Sequence, residues 1–195
     1  MKGILAKKVG MTRIICSETG HVTPVTLLEA PEAEVLQVKT LEKDGYSAAV
    51  LGSFDRKNHG KNVNKKFKFI QELMLENDQE MKKGDKVGVA NLGETEFVKI
   101  TGTSKGRGFQ GVIKRHNFSR GPETHGSHHH REPGSVGTCA KPARIIKGKK
   151  MPGRYGGTQT TLRSAKVMHV DSDKNLIAIK GAVPGPKNGY VFIRA

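Results

Sequence analysis

Short apolar runs separated by turn residues recur in the first half of the chain and again near its end. Runs of this length that are rich in Val, Ile and Leu are typical of strands. The N-terminal part predicts strands at residues 2–6, 12–16, 21–29, 34–41 and 46–51. The remainder predicts strands at residues 97–101, 165–171, 176–180 and 190–194. Asp44-Gly45 is a hairpin signal between two of the N-terminal strands.

The spacing of these strands predicts a mainly β fold. Several short strands with turn residues between them are typical of an antiparallel barrel or sandwich. The strands lie on both sides of a long segment without such a pattern, residues 104–163. We therefore expect the N- and C-terminal strands to pair in one barrel, with this segment inserted. Residues 65–83 are the best helix candidate and contain Phe69, Leu73 and Leu75, although these form no clean apolar stripe.

Residues 104–163, which we call the arm, differ from the flanking residues in composition. The arm carries 13 Lys and Arg against Glu123 and Glu132, and so +11 of the chain's net charge of +16. It also holds five histidines and 11 of the 24 glycines, and its few large apolar residues follow no sustained period after Phe118. A segment of this composition cannot offset its ordering entropy by burying itself. The arm therefore needs a partner to take a defined shape, and its charge indicates a polyanion.

The whole chain excludes several classes of protein. None of its apolar runs approaches the ~18 residues that a membrane span needs, and the apolar run at the start is too short for a signal peptide. We therefore expect a cytosolic protein with no membrane partner. Cys16 and Cys139 lie far apart without a CxxC partner, which excludes a disulfide framework and a thiolate zinc site.

Residues 106–111 match the G-x-G-x-x-G pattern of dinucleotide-binding loops. That interpretation fails because no second strand follows to close a βαβ unit. Close backbone approach and free N–H groups remain, ahead of a short helical stretch predicted at residues 109–116, and these suit the phosphates of a nucleic-acid backbone. The nearby cations are Lys105, Arg107, Lys114 and Arg115.

A histidine-rich run at residues 125–131 invites a metal-site interpretation. The adjacent residues His128, His129 and His130 cannot all converge on one ion from a strand or a helix. No Cys or carboxylate lies at ligand spacing nearby. We therefore predict no metal and no cofactor, and we expect the imidazoles to contact phosphates and bases.

Residues 144–157 form a basic run in which glycines recur and Tyr155 is the one aromatic residue. This combination suits a polynucleotide, because the cations contact phosphates and the glycines let the backbone approach closely. Tyr155 or a guanidinium would contact a base. A membrane-surface interpretation is poor, because the run has no wide apolar face.

The residues alone leave two other functions open. An enzyme that modifies or cleaves RNA could use Cys139 or the histidines, although the sequence has no P-loop, HExxH motif or recognisable carboxylate pair. A DNA-binding module is the second alternative, although no helix-turn-helix or zinc-finger pattern supports it. The residues favour a polynucleotide-binding protein that is not an enzyme and has no small-molecule substrate.

Several segments together carry a family resemblance. They are GILAKKVGMT at 3–12, TGTSKGRGF at 101–109, KRHNF at 114–118, THGS at 124–127, REPGSVG at 131–137, KGKKM at 147–151 and KGAVPG at 180–185. In this order they resemble the bacterial form of protein three of the large ribosomal subunit, and the resemblance runs over essentially the whole chain.

The resemblance implies a six-stranded antiparallel barrel of the translation-factor type with minor helices. The barrel would consist of residues 1–103 and 164–195, with a small insertion near 52–85, and the arm would penetrate large-subunit ribosomal RNA. It further implies a structural role in the cytoplasmic ribosome, early binding in assembly near the 3′-terminal part of that RNA, and contacts with neighbouring large-subunit proteins, by family proteins fourteen and nineteen.

The resemblance also implies that the tip of the arm approaches the peptidyl-transferase centre. The tip would consist of Thr138, Cys139, Ala140 and Lys141. Many relatives carry Asn-Gln where this chain has Cys139-Ala140, and in some bacteria that Gln is methylated. Because residue 140 is alanine here, the modification cannot occur in this chain.

The residues expected to bind RNA share a cationic or imidazole side chain within the arm. They are Lys105, Arg107, Lys114, Arg115, His116, Arg120, His125, His128, His129, His130, Arg131, Arg144, Lys147, Lys149, Lys150 and Arg154. The Lys and Arg residues would pair with phosphates, and the histidines would make mixed phosphate and base contacts.

Overall fold

The computed structural model describes residues 3–16, 20–55, 66–75, 81–92 and 95–195. The chain divides into two compact units. The barrel unit is Met1–Ser104 with Gln159–Ala195, and the basic unit is Lys105–Thr158. The arm predicted from the sequence therefore differs from the basic unit at its C-terminal end, where residues 159–163 begin a strand of the barrel unit.

Most regular structure is strand. The strands are β1 (Gly3–Ile15), β2 (Val22–Glu29), β3 (Ala33–Lys39), β4 (Ala48–Asp55), β5 (Phe67–Met74), β6 (Lys86–Val87), β7 (Phe97–Thr103), β8 (Phe109–Gln110), β9 (Gly153–Arg154), β10 (Gln159–Asp171), β11 (Leu176–Lys180) and β12 (Tyr190–Arg194). The helices are α1 (Leu41–Asp44), α2 (Val112–His116) and a 3₁₀ turn at Val89–Leu92. The prediction of a mainly β fold is confirmed, and every strand predicted from the sequence overlaps one of these.

Six strands close into an antiparallel barrel in the order β1-β12-β7-β10-β11-β2. The expected pairing of N- and C-terminal strands is confirmed, since Gly3 lies opposite Arg194 and Leu28 lies opposite Ile177. The barrel interior is filled by branched aliphatic side chains that alternate with outward-facing residues along each strand. Its fully buried members include Ile4, Leu28, Ile100, Ile177, Ile179 and Ile193.

The sequence predicted two strands where the structure has the single strand β1. The gap between the two predicted strands, residues 7–11, includes the pair Lys7-Lys8. Lys8 is nevertheless buried, and its Nζ donates a 2.8 Å hydrogen bond to the carbonyl of Val183. A buried ammonium is tolerated when it is hydrogen-bonded, so β1 continues through Lys8 with a register shift between Lys8 and Gly10.

A second sheet in the order β5-β4-β3-β6 packs against the outside of the barrel. Its core combines Leu51 and Leu73 of the sheet with Leu5 and Phe192 of the barrel strands. Strands β1 and β12 therefore contribute to two cores, because successive side chains of a strand point to opposite faces.

The helix predicted at residues 65–83 is wrong for residues 67–74, which form β5. Phe67 and Leu73 are buried, and the intervening Lys68 and Glu72 are exposed, which follows the two-residue period of a strand. Pairing with β4, in which Leu73 lies opposite Ala49, fixes this conformation. Residues 65 and 76–80 of the predicted helix lie outside the described residues.

The predicted hairpin at Asp44-Gly45 is confirmed, since β3 and β4 pair antiparallel. The connection between them is longer than a tight turn, because α1 forms one helical turn and Gly45 ends it at φ +78°. Glycine adopts this left-handed conformation without steric cost. Within the described ranges, no helix is long and apolar enough to cross a bilayer.

Glu72 links three segments of the second sheet on its exposed face. Its Oε1 accepts a 2.6 Å hydrogen bond from Lys39 Nζ, and its Oε2 accepts a 3.2 Å bond from Tyr46 Oη. The hydrogen bond from Lys39 lowers the pKa of Glu72 below its ordinary value of 4.5, with a further contribution from Tyr46. A carboxyl with a lowered folded-state pKa stabilises the fold above its unfolded pKa and loses this effect as pH falls through the folded pKa.

Glu72→Gln should therefore destabilise the protein at about pH 7, and the difference should shrink as pH falls through the folded-state pKa of Glu72, because the wild-type carboxyl then loses its charge. Urea unfolding midpoints of both proteins across this range measure the difference. Glu42→Gln in α1 is the matched control, since Glu42 is exposed and forms no ion pair with another described residue. A gap between wild type and Glu72→Gln that stays constant with pH would contradict the assigned pKa shift.

Candidate nucleic-acid interface

The basic unit has almost no interior of its own. All of its residues are described, and Val112, at 1% exposure, is the only one classed as buried. Every residue from 128 to 150 is exposed, including the apolar side chains of Val136, Ile145 and Ile146. This unit therefore lacks the apolar burial that stabilises the barrel unit.

The N-terminal and C-terminal segments of the basic unit, which we call its two limbs, are joined near the unit's ends. We call the region where they are joined the stem (residues 105–116 and 151–157). Strands β8 and β9 pair antiparallel there, with Phe109 opposite Arg154. The Arg107 N–H donates to the Tyr155 carbonyl at 2.9 Å, and the Tyr155 N–H donates to the Gly108 carbonyl at 2.9 Å. This ladder holds the limbs side by side.

Helix α2 adds a second tie between the limbs. Arg115 Nη1 donates a 2.6 Å hydrogen bond to the Met151 carbonyl, and His116 Nε2 lies 3.0 Å from the same oxygen. Both side chains are half-buried. The sequence predicted Arg115 and His116 only as RNA contacts, whereas the structure also gives them a role in holding the stem closed.

Two glycines permit close backbone contacts within the unit. A Cβ on Gly156, whose φ is +73°, would lie 2.0 Å from the Lys105 carbonyl oxygen. A Cβ on Gly121 would lie 1.7 Å from the His129 carbonyl oxygen. Part of the glycine content thus serves packing inside the unit. Other glycines face open space, with nothing within 4 Å of the Cβ position: Gly106, Gly108, Gly111, Gly126, Gly137 and Gly148.

Both acidic residues of the basic unit are paired locally. Arg120 Nη1 lies 3.2 Å from Glu123 Oε1, and His129 Nδ1 lies 3.2 Å from Glu132 Oε2. The unit contains twelve Lys and Arg. Among the described residues, the eleven other than Arg120 form no ion pair. The positive charge of this unit is therefore available to an external anion.

Fourteen of the sixteen predicted RNA-binding residues have exposed side chains. The two exceptions are Arg115 and His116. In the part of the chain that the structure describes, no three His, Cys, Asp or Glu side chains converge in a way that could hold a metal ion. The exposed set is Lys105, Arg107, Lys114, Arg120, His125, His128, His129, His130, Arg131, Arg144, Lys147, Lys149, Lys150 and Arg154.

The predicted tip forms a short turn at the far end of the limbs. Thr138 Oγ1 donates a 3.0 Å hydrogen bond to the Lys141 carbonyl, and Cys139 and Ala140 between them are exposed. Cys139 is a free thiol. An open concavity of about 480 Å³ lies behind the turn, lined by residues 134–138 and 143–145.

Comparison with known proteins identifies the family to which these features belong. The family profile described as "Ribosomal protein L3" matches residues 54–176, which include the whole basic unit. Among curated proteins, the "Large ribosomal subunit protein uL3" of Halalkalibacterium halodurans is 46% identical over 100% of this chain and 97% of its own length. The chain belongs to the ribosomal protein L3 family.

Further relatives of the same name agree in length and identity. The protein of Shouchella clausii is 45% identical over 100% of this L3 chain and 97% of its own length. That of Geobacillus sp. strain WCH70 is 47% identical over 100% of the chain and 96% of its own length. The family expected from the sequence segments is thus confirmed over both units of the L3 chain.

Family membership also decides the question of catalysis. The relatives are ribosomal proteins, which are structural components and not enzymes. The prediction that the chain is not an enzyme is therefore confirmed, and the enzyme alternative built on Cys139 is wrong for this L3 protein. Cys139 and the neighbouring histidines belong to the exposed end of the basic unit instead.

One exposed ring of the stem was not indicated by the sequence as an RNA contact. The sequence indicated Tyr155 or a guanidinium as the base contact. Tyr155 is half-buried, and the Arg107 guanidinium carbon lies 5.1 Å from its ring centroid. The ring that is free instead is that of Phe109, which is 77% exposed. The sequence signal that could have indicated Phe109 is its position between Gly108 and Gly111 in a basic segment.

Proposed function

We propose that this L3 chain is a structural constituent of the large ribosomal subunit and that its basic unit binds large-subunit ribosomal RNA directly. The observation that carries the proposal is a unit with one buried residue and eleven Lys and Arg without a carboxylate partner among the described residues. Such a surface is suited to a dense array of phosphates, which RNA provides.

The basic unit would act by neutralising phosphates where RNA segments pack closely. Its exposed Lys and Arg supply charge along both limbs, and the glycines that face open space let the RNA backbone approach. Because apolar burial contributes little to this unit, contact with RNA supplies the free energy that fixes its shape. The protein thereby allows RNA helices to come together that would otherwise repel each other.

The barrel would be of the translation-factor type and would dock on the RNA surface. Its closed ring of six antiparallel strands supports this proposal. We assign residues 1–103 and 164–195 to this domain, with the small insertion near 52–85, and residues 104–163 to the arm. The barrel would also contact the large-subunit proteins fourteen and nineteen, and the protein would reside in the cytoplasmic ribosome.

The arm would reach from the barrel site toward the peptidyl-transferase centre. Half of the excursion at residues 118–163 spans at most ~70–80 Å when extended, at ~3.3–3.6 Å per residue. Its tip, Thr138 to Lys141, is exposed and contributes small side chains and one cation. Early binding near the 3′-terminal part of the RNA would give the protein its role in nucleating assembly.

The salt dependence of RNA binding tests the proposal. We expect the affinity of the full chain for a folded fragment of large-subunit RNA to fall ~10³- to 10⁵-fold between ~50 and ~200 mM salt, as released counterions require for about 6–10 phosphate contacts. Filter binding across this range measures the slope. A nearly flat response would contradict direct binding through phosphates, and equal affinity for duplex DNA would favour the DNA-binding alternative.

A further inference from the structure

Phe109 is the most exposed large hydrophobic side chain among the described residues, at 77%. It lies in β8 at the stem, where the ladder with β9 holds its backbone. Within the described part of the chain, no second ring and no cation lies against it. A fixed backbone with a free aromatic face is a surface prepared for a flat ligand.

The surroundings of Phe109 keep that face open. The residues before and after the strand are Gly108 and Gly111, and nothing lies within 4 Å of a Cβ at either position. Gln110 lies on the opposite face of the strand, and its side-chain amide donates to the Arg107 carbonyl. With 77% of the Phe109 side chain exposed, its ring is open to a ligand from outside the chain.

The cations around Phe109 decide which class of ligand fits. Arg154 lies directly opposite Phe109 in the ladder and is exposed, with its guanidinium toward Gly157. Directly opposite residues of an antiparallel pair share one face of the ribbon, with Cβ atoms about 4.5–5.5 Å apart. Arg107 and Lys105 are exposed on the same limb, and no acidic residue occurs between 105 and 122. An apolar ring with an exposed arginine directly across the ladder, in a segment without acidic residues, matches a nucleotide, with a flat base beside a phosphate.

We propose that Phe109 is a stacking surface for one unpaired base of large-subunit RNA, and that Arg154 contacts a phosphate of the same nucleotide or its neighbour. The inference rests on the proposed function, because the nucleotide belongs to the RNA that the basic unit binds. It goes further by assigning a base contact to a residue without charge. It also limits that base to one outside a helix, since a paired base is stacked on its neighbours and offers no free face.

Substitution at position 109 of the full chain tests the stacking. Phe109→Ala should lower affinity for the RNA fragment about 5- to 150-fold, the range of base–aromatic stacking energies at 1.4 kcal/mol per tenfold. Phe109→Tyr keeps a ring and should bind within about threefold of wild type. Phe109→Leu keeps apolar area without a ring and should lose nearly as much as Phe109→Ala. The salt slope should stay unchanged in all three, because Phe109 carries no charge.

Phe97→Ala is the matched control. Phe97 is 51% exposed on β7 of the barrel unit, and Lys166 lies opposite it with Nζ 6.0 Å from the ring centroid. Because Lys166 is already paired with Glu96 at 2.7 Å, the change removes an exposed ring whose neighbouring cation has a carboxylate partner. It should leave RNA affinity within about threefold. Unfolding midpoints of all variants should equal that of the wild type, because neither ring is buried.

A photo-cross-linker at the same position identifies the partner. In the assembled subunit, Phe109→benzoylphenylalanine should cross-link to one nucleotide that forms no Watson–Crick pair. Cross-linking to a ribosomal protein or to paired RNA would overturn the inference, as would full affinity of Phe109→Ala or of Phe109→Leu. If RNA binding by the wild-type protein did not depend on salt, both the proposed function and this inference would be overturned. Steep salt dependence with an unaffected Phe109→Ala would overturn this inference alone.

Discussion

Replacing Lys147, Lys149 and Lys150 together with glutamine should weaken binding of large-subunit RNA about 100-fold at ~0.15 M salt. Each lysine that neutralises a phosphate contributes ~0.7–0.9 to the slope of log affinity against log salt, which is about fivefold per lysine at this salt concentration. All three are exposed. The slope should therefore fall by about 2–3, and filter binding across a salt series measures both quantities.

A charge-matched triple variant distinguishes a local effect from a general one. Lys82, Lys83 and Lys86 are exposed in the barrel unit, and their replacement by glutamine removes the same net charge. We expect this variant to lose only a few-fold in affinity and to keep most of the salt slope, because it leaves the basic unit intact. Equal losses in the two triple variants would mean that net charge alone drives binding, which contradicts a specific role for the basic unit.

The same isoleucine-to-alanine change should cost much more stability in the barrel unit than in the basic unit. Ile100 is fully buried in the barrel and lies opposite Ile193. Its truncation should lower the free energy of unfolding by about 2–5 kcal/mol, since it removes buried methylene groups and leaves a cavity. Ile146 is 61% exposed in the basic unit, so Ile146→Ala should change stability by less than about 0.5 kcal/mol.

Urea unfolding followed by circular dichroism measures both changes in the isolated protein. The pair is informative because the chemical change is identical and only the surroundings differ. A loss of several kcal/mol on Ile146→Ala would contradict the description of the basic unit as lacking a core. A negligible loss on Ile100→Ala would mean that the barrel interior is not packed as the structure shows it.

The barrel was predictable from the sequence because its strands carry dense apolar runs and must pair with one another. Ile100 and Ile193 belong to the apolar runs at residues 97–101 and 190–194. The errors arose where a charge or a mixed pattern masked a strand. The gap at residues 7–11 divided β1 into two predicted strands, although Lys8 within that gap is hydrogen-bonded inside the fold. At Phe67–Met74, pairing with β4 determines the strand conformation. The intrinsic propensities of these residues do not reveal that pairing.

The composition of the interface was predictable from the sequence, but the contacts among its side chains were not. Charge and glycine content located the basic residues, because these quantities are read directly from the sequence. Arg115 binds the Met151 carbonyl, 36 positions along the chain, a contact that only the folded stem creates. The choice between Tyr155 and Phe109 as the free ring likewise depends on where the Arg107 guanidinium lies. Long-range contacts of this kind leave no local pattern in the sequence.

Hydrogen exchange with and without RNA tests most directly whether the basic unit takes its shape from RNA. In the free protein, we expect amides of residues 117–150 to exchange rapidly and those of β1, β7 and β12 to be protected, since the barrel holds the buried core. Addition of the large-subunit RNA fragment should protect residues 117–150 and leave the barrel strands unchanged. Exchange in 117–150 that is equally slow, or equally fast, in the presence and absence of RNA would contradict the account.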